Sequence, residues 1–215
     1  MGFTPIVAAT AVFLAVHLVF ERKKYMGKSG TAAAVSKIFP TAGFITAAFL
    51  TNAHLTLGGP YLIGALAFCA AGDLLLVSAD LKMFRAGLAA FLFAHIAYCL
   101  FFWKIGLDTH TLRAAAPVLA AVGALILWRL LPHATKPMRG PVTAYVIVIC
   151  AMVALSVGVW GSGKTILYSA AAVIFMVSDL FVARDRFVTK SFYNRLISLP
   201  LYYGAQLLFI FSAAF

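Results

Sequence analysis

Apolar residues in this chain form long runs broken by short polar stretches. The runs fall at 4–20, 38–56, 60–78, 87–103, 114–131, 142–160, 165–182 and 197–214. A helix needs about 20 mostly apolar residues to cross a bilayer. The pattern therefore predicts an all-α polytopic bundle of eight transmembrane helices, with residues 1–215 as one integral membrane domain. The second run is the least clean, because Asn52 and His54 crowd its end. Gly58, Gly59 and Pro60 mark a tight turn between runs two and three. Pro40, Pro60, Pro117, Pro141 and Pro200 are expected near span starts, where a missing N–H costs little. The first run is followed, not preceded, by basic residues, so it is expected to be a retained helix and not a cleaved leader.

Composition agrees with that pattern. Hydrophobic residues make up 64% of the chain and charged ones 11%, whereas a soluble domain carries roughly 25% charged residues. The formal net charge of +11 could suggest a nucleic-acid partner. The basic residues instead sit in the breaks, where topology signals lie, and no nucleic acid is expected. Cys69, Cys99 and Cys150 lie inside apolar runs without metal spacing, so neither a disulfide framework nor a metal site is expected. Gly161 to Lys164 resembles the end of a phosphate loop but lacks the upstream glycine.

Every Lys and Arg except Lys104, Arg113 and Lys164 belongs to the side of the breaks after runs one, three, five and seven. By the positive-inside rule those breaks are cytoplasmic and both termini lie on the other side. There is also a faint internal echo. Gly72-Asp73-Leu74 in run three and Ser178-Asp179-Leu180 in run seven are each followed by acidic and basic residues, which suggests a weak parallel repeat of four plus four helices.

Of the six acidic residues, Glu21, Asp80, Asp108 and Asp185 sit in polar breaks, while Asp73 and Asp179 sit within apolar runs. A carboxylate at a helix centre costs about 2.5–3.5 kcal/mol on insertion scales and marks a functional site by default. Asp73 precedes Asp80 by seven residues and Asp179 precedes Arg184 by five, which is about 10 Å and about 8 Å along a helix. Both carboxylates are thus expected at similar depth, close enough to share one proton and to serve as acid and base. The bland reading is that each bonds a neighbouring helix.

Other polar groups at membrane depth are candidates for the same cavity. His95 and Tyr98 share one helix face, as do Tyr202 and Gln206, with Tyr203 alongside. Lys37 and Tyr145 are placed at the basic ends of runs two and six, where Lys37 could attract a phosphate headgroup. His17 has no polar company in its run and reads as structural.

Together these residues resemble the YhhN-type lysoplasmalogenase family. The resemblance is carried by Lys37 with Pro40, Gly72 to Leu75, Ala90-Phe91-Leu92 with Ala94-His95 and Tyr98, Tyr145, Ser178-Asp179-Leu180, and Tyr202 to Gln206. It implies a multi-span hydrolase that cleaves the vinyl ether bond of lysoplasmalogens to a fatty aldehyde and a glycerophospho-alcohol. Asp73 and Asp179 would be the catalytic pair. Lys37, His95, Tyr98, Tyr145, Tyr202, Tyr203 and Gln206 would bind substrate, with no cofactor or metal. The partners implied are a lysophospholipid and the surrounding membrane lipid, and the expected location is a bacterial inner membrane. The sequence alone also admits an intramembrane aspartyl protease or a proton-coupled transporter using the same carboxylates. It sets neither headgroup, chain length nor oligomeric state.

The charge bias makes one expectation directly measurable. Reporter fusions at Arg139 and Lys190 are expected to score cytoplasmic, and one in the break at Lys104–Arg113 non-cytoplasmic. The reverse pattern would contradict the assigned orientation.

Overall fold

The computed structural model describes residues 3–27, 30–78 and 80–214, so Lys28, one of the basic residues of the first break, lies outside the described part. Among the described residues the chain forms eight α-helices. They are α1 (Phe3–Tyr25), α2 (Thr31–Leu50), α3 (Gly59–Leu75), α4 (Leu81–Ile105), α5 (Thr109–Leu130), α6 (Lys136–Gly161), α7 (Leu167–Ala183) and α8 (Phe192–Ala214). Seven helical stretches are long and apolar enough to cross a membrane. The exception is α3, whose 17 residues span about 26 Å, against a hydrocarbon core of about 30 Å; α7 is equally short, but a π-helical turn, Arg184–Val188, continues it to a 22-residue stretch. Leu76 and Val77 continue the apolar run of α3.

The helices extend beyond the apolar runs. α2 starts at Thr31, α6 at Lys136 and α8 at Phe192. Hydropathy marks only the lipid-facing length, while backbone groups near the interface still gain from helical pairing. Pro40, Pro117, Pro141 and Pro200 therefore lie inside helices, contrary to the expectation that they mark starts. Pro60 does occupy the first turn of α3. Two acidic residues of the breaks turn out to be caps. Asp80 accepts the N–H groups of Lys82 and Met83 at 2.7 and 3.1 Å. Asp108 accepts that of Thr111 at 2.6 Å, and Thr111 hydrogen bonding holds its carboxyl below the usual carboxylate range. The Asp108 N–H donates to the Gly158 carbonyl at 2.8 Å, tying the start of α5 to the end of α6.

The neighbour pattern repeats with an offset of four helices. α1 packs on α2 as α5 packs on α6, and α3 on α4 as α7 on α8. Likewise α2 meets α3 and α8, and α6 meets α7 and α4. The correspondence breaks at one place. α1 packs against α8, but α5 has no comparable contact with α4. The outer faces of α1 and α5 are apolar and exposed, as at Val12, Val16, Val118 and Leu125, in keeping with a lipid surface. Exposed Trp103 and Trp160 sit near the ends of α4 and α6, where an interfacial aromatic is favoured.

Two glycines allow close approach. A Cβ on Gly59 would lie 2.2 Å from the His54 carbonyl oxygen, and one on Gly72 would lie 2.6 Å from the Phe91 ring. Phe91 is itself wedged among other rings, so it has little room to yield. Gly72→Ala is accordingly expected to destabilise the bundle by about 1–3 kcal/mol. Gly64→Ala, where a Cβ meets nothing within 4 Å, is expected within about 0.5 kcal/mol of the parent. Equilibrium unfolding in detergent micelles checks the pair.

Candidate active site

At the end of the bundle where α3, α5 and α7 finish and α2, α4, α6 and α8 start, the helices enclose a cavity. Its wall is mostly apolar, with Ile126 and Leu130 from α5, Val146 and Ile149 from α6, and Met176 from α7. The polar wall residues include Lys37, Asp73, Tyr145, Ser178, Asp179, Arg195, Ser198 and Tyr202. The two intramembrane carboxylates of the sequence thus open onto one space.

Asp73 sits in the last turn of α3, two residues before its end, and is almost fully buried. Its Oδ1 pairs with the Lys37 ammonium at 2.9 Å, and Lys37 also donates to the Asp73 carbonyl at 3.0 Å. Its Oδ2 accepts the Thr41 hydroxyl at 2.9 Å, the Tyr202 phenol at 3.0 Å and the Tyr203 phenol at 3.5 Å. Lys37 and Thr41 stand four residues apart on α2, so one helical face delivers both donors. Such a buried pair is tolerable because several hydrogen bonds accompany it, and removing one partner of a buried pair typically costs 3–5 kcal/mol. Lys37 is thereby committed to Asp73 and does not sit free at the start of its span.

Asp179 has a different setting. The Tyr145 phenol donates to its Oδ2 at 2.6 Å, and the His95 Nε2 stands 3.4 Å from the same oxygen. No cation among the described residues forms an ion pair with it apart from this imidazole. The other His95 nitrogen, Nδ1, lies 2.6 Å from the Phe91 carbonyl. A carbonyl only accepts, so Nδ1 carries a proton, and a neutral ring then turns its lone pair toward Asp179.

The donors follow the fourfold offset of the helices. Asp73 on α3 takes partners from α2 and α8, and Asp179 on α7 takes partners from α6 and α4. The two carboxylates form no hydrogen bond to each other among the described contacts. Aromatic rings lie between their helices. Phe91, Phe175 and Tyr202 form a triangle with centroid separations of 5.7, 6.5 and 5.5 Å. Phe175 lies one turn before Asp179 and also contacts His95 at 4.6 Å.

Tyr98 and Gln206 are brought together, but away from both carboxylates. The Tyr98 phenol donates to the Gln206 side-chain oxygen, and the Gln206 amide donates to the Cys69 sulfur at 3.3 Å. Tyr98, Gln206, Tyr203 and His95 are buried behind the cavity surface and not on it. His17 does have a polar companion, Ser36, at 2.9 Å. The sequence reading missed Thr41, Ser178, Ser198 and Arg195. The spacing of four from Lys37 could have flagged Thr41, the spacing of Arg195, Ser198 and Tyr202 on α8 could have flagged Arg195 and Ser198, and adjacency to Asp179 could have flagged Ser178.

No solved structure matches this chain. Among curated proteins it is 35% identical over 151 residues to the mouse lysoplasmalogenase TMEM86B, covering 70% of this chain and 62% of that protein. It is 34% identical to the rat protein of that name over 162 residues, covering 73% and 64%. It is 31% identical to the bovine lysoplasmalogenase TMEM86A over 156 residues, covering 69% and 62%. The matches thus span somewhat less than two thirds of these relatives. The model of the YhhN family matches residues 32–213, a stretch that includes Lys37, both intramembrane aspartates and all of their hydrogen-bonding partners, and the chain belongs to that family.

Proposed function

We propose that this protein is a membrane-embedded hydrolase that cleaves the vinyl ether bond of a lysoplasmalogen, releasing a fatty aldehyde and a glycerophospho-alcohol. The observation that carries the reading is a pair of differently wired carboxylates, Asp73 and Asp179, on one apolar cavity at membrane depth. The lysoplasmalogenase names of the curated relatives support it. The apolar wall suits an alkenyl chain, and the missing α4–α5 contact offers a lateral path from the bilayer. The charge bias puts the cavity end on the cytoplasmic side.

The chemistry divides between the two sites. One proton is held by the Asp179–His95 pair. Asp179 delivers it to the alkenyl carbon distal to the ether oxygen, producing an oxocarbenium ion. Asp73, paired with the Lys37 ammonium, stabilises that cation and takes a proton from the water that adds to the adjacent carbon. The resulting hemiacetal loses its glycerol oxygen, which leaves with a proton, and the aldehyde remains. One water is consumed and no redox partner is needed. Tyr145 orients Asp179, and Tyr202 with Thr41 orients Asp73. The aromatic triangle excludes bulk water and presents ring faces that favour a nearby cation.

Two measurements check this division. Asp73→Asn and Asp179→Asn are each expected to lower aldehyde release from a lysoplasmenylcholine at least about 100-fold. Near-normal turnover by either folded variant would remove that residue from the chemistry. Tyr145→Phe, which keeps the ring but loses the 2.6 Å bond to Asp179, is expected to lower kcat about tenfold with little change in KM. An unchanged kcat would show that Asp179 needs no such orientation.

A further inference from the structure

We infer that Arg195 and Ser198 form the site that takes the phosphodiester of the lysolipid, at the outer edge of the cavity. The inference rests on the lysoplasmalogen reading above and assigns its headgroup subsite. Phosphate recognition calls for donors that are not already consumed. Lys37 does not qualify, because its ammonium is held by the Asp73 carboxylate and carbonyl at 2.9 and 3.0 Å.

Ser198 qualifies by an unused hydroxyl, and Arg195 by the donors of its guanidinium beyond those that face Asp185 and Tyr25. Both line the cavity. Ser198 is 1% exposed, and its Oγ has no hydrogen-bond partner among the described residues. Its backbone carbonyl is occupied by the Ser178 hydroxyl at 2.9 Å, so the Oγ is the polar atom of Ser198 left for a ligand. A buried hydroxyl left unpaired costs about 1–3 kcal/mol, and an acceptor such as a phosphate oxygen would relieve that cost. The Arg195 Nε comes within 3.4 Å of Asp185 Oδ2 without making a hydrogen bond. Asp185 is already served by the Tyr25 phenol at 2.7 Å, the Ser191 N–H at 2.9 Å and the Asn194 amide at 3.3 Å. A guanidinium carries five N–H donors in a planar fork that matches phosphate oxygens. Asp185 faces one edge of that fork, and Glu21 adds a second carboxylate in its neighbourhood.

Length supplies an independent check. Arg195, Ser198 and Tyr202 occupy one face of α8, and Arg195 lies seven residues before Tyr202. That separation is about 10 Å along the helix axis. In a lysoplasmalogen six bonds separate phosphorus from the reacting alkenyl carbon, roughly 7 Å when extended. Ser198 lies four residues before Tyr202, about 6 Å along the axis, so a phosphate held between the levels of Arg195 and Ser198 sets the alkenyl ether near the level of Tyr202, whose phenol is 3.0 Å from Asp73.

Binding of two uncleavable lipids tests the assignment without relying on turnover. The probes are a 1-alkylglycerophosphocholine and the corresponding 1-alkylglycerol, titrated into the purified full-length protein in mixed micelles. Wild type is expected to prefer the phosphocholine lipid by about tenfold or more, as charge-assisted hydrogen bonds would give. Arg195→Lys keeps a charge opposite Asp185 but loses the fork, and Ser198→Ala removes a hydroxyl without a hydrogen-bond partner among the described residues. Each is expected to cut the preference at least about threefold, with the alkylglycerol affinity as reference. Equal binding of both lipids by wild type, or wild-type preference in both variants, would overturn the assignment. Failure to cleave lysoplasmenylcholine while these binding differences persist would instead count against the hydrolase reading alone.

Discussion

A charged carboxylate can reside in a membrane bundle only if the protein supplies what water would have supplied. The Lys37–Asp73 pair is the point on which the rest of this structure turns. It is almost wholly buried, and three hydroxyls complete its shell. Meeting that demand draws α2, α3 and α8 together at one end of the bundle. It also explains why the C-terminal helix carries two consecutive tyrosines that would otherwise be costly in its core. A buried pair of this kind adds little net stability compared with apolar packing, but losing one member is expensive. Its presence in so apolar a chain is what makes it a candidate site.

The second carboxylate occupies the corresponding place in the other half of the bundle with opposite electrostatics. α6 offers a phenol where α2 offers an ammonium, and α4 offers an imidazole where α8 offers phenols. One architectural plan thus yields a carboxylate paired with an ammonium and a carboxylate beside a phenol and an imidazole. The plan departs from itself a second time where α5 stands away from α4. The two halves thus differ at this seam and in the donors around each carboxylate, within a repeated frame.

Much of this was legible from the sequence, and the parts that were not share a cause. Eight apolar runs foretold eight helices, because lipid exposure writes hydropathy directly into the chain. Asp73 and Asp179 stood out because ionisable groups are costly in apolar runs. The helix ends were misplaced by as much as seven residues at α2, since amphipathic interfacial turns carry no hydropathy signal. The relation between the carboxylates was hidden for a different reason. Equal depth says nothing about azimuth, and the rings of Phe91, Phe175 and Tyr202 that separate the two helices are unremarkable apolar letters in the sequence. Arg195 was hidden by its place among other basic residues that look like topology signals, and Thr41 by its neutrality.

The central claim is that a proton goes to carbon and water goes to the alkenyl side of the ether. The most direct test is cleavage of lysoplasmenylcholine by the purified protein in deuterated water, and separately in oxygen-18 water, with both products weighed by mass spectrometry. The account predicts an aldehyde bearing one deuterium beside the carbonyl, and a glycerophosphocholine that keeps its original ether oxygen. Oxygen-18 in the glycerophosphocholine, or an aldehyde without deuterium, would contradict it.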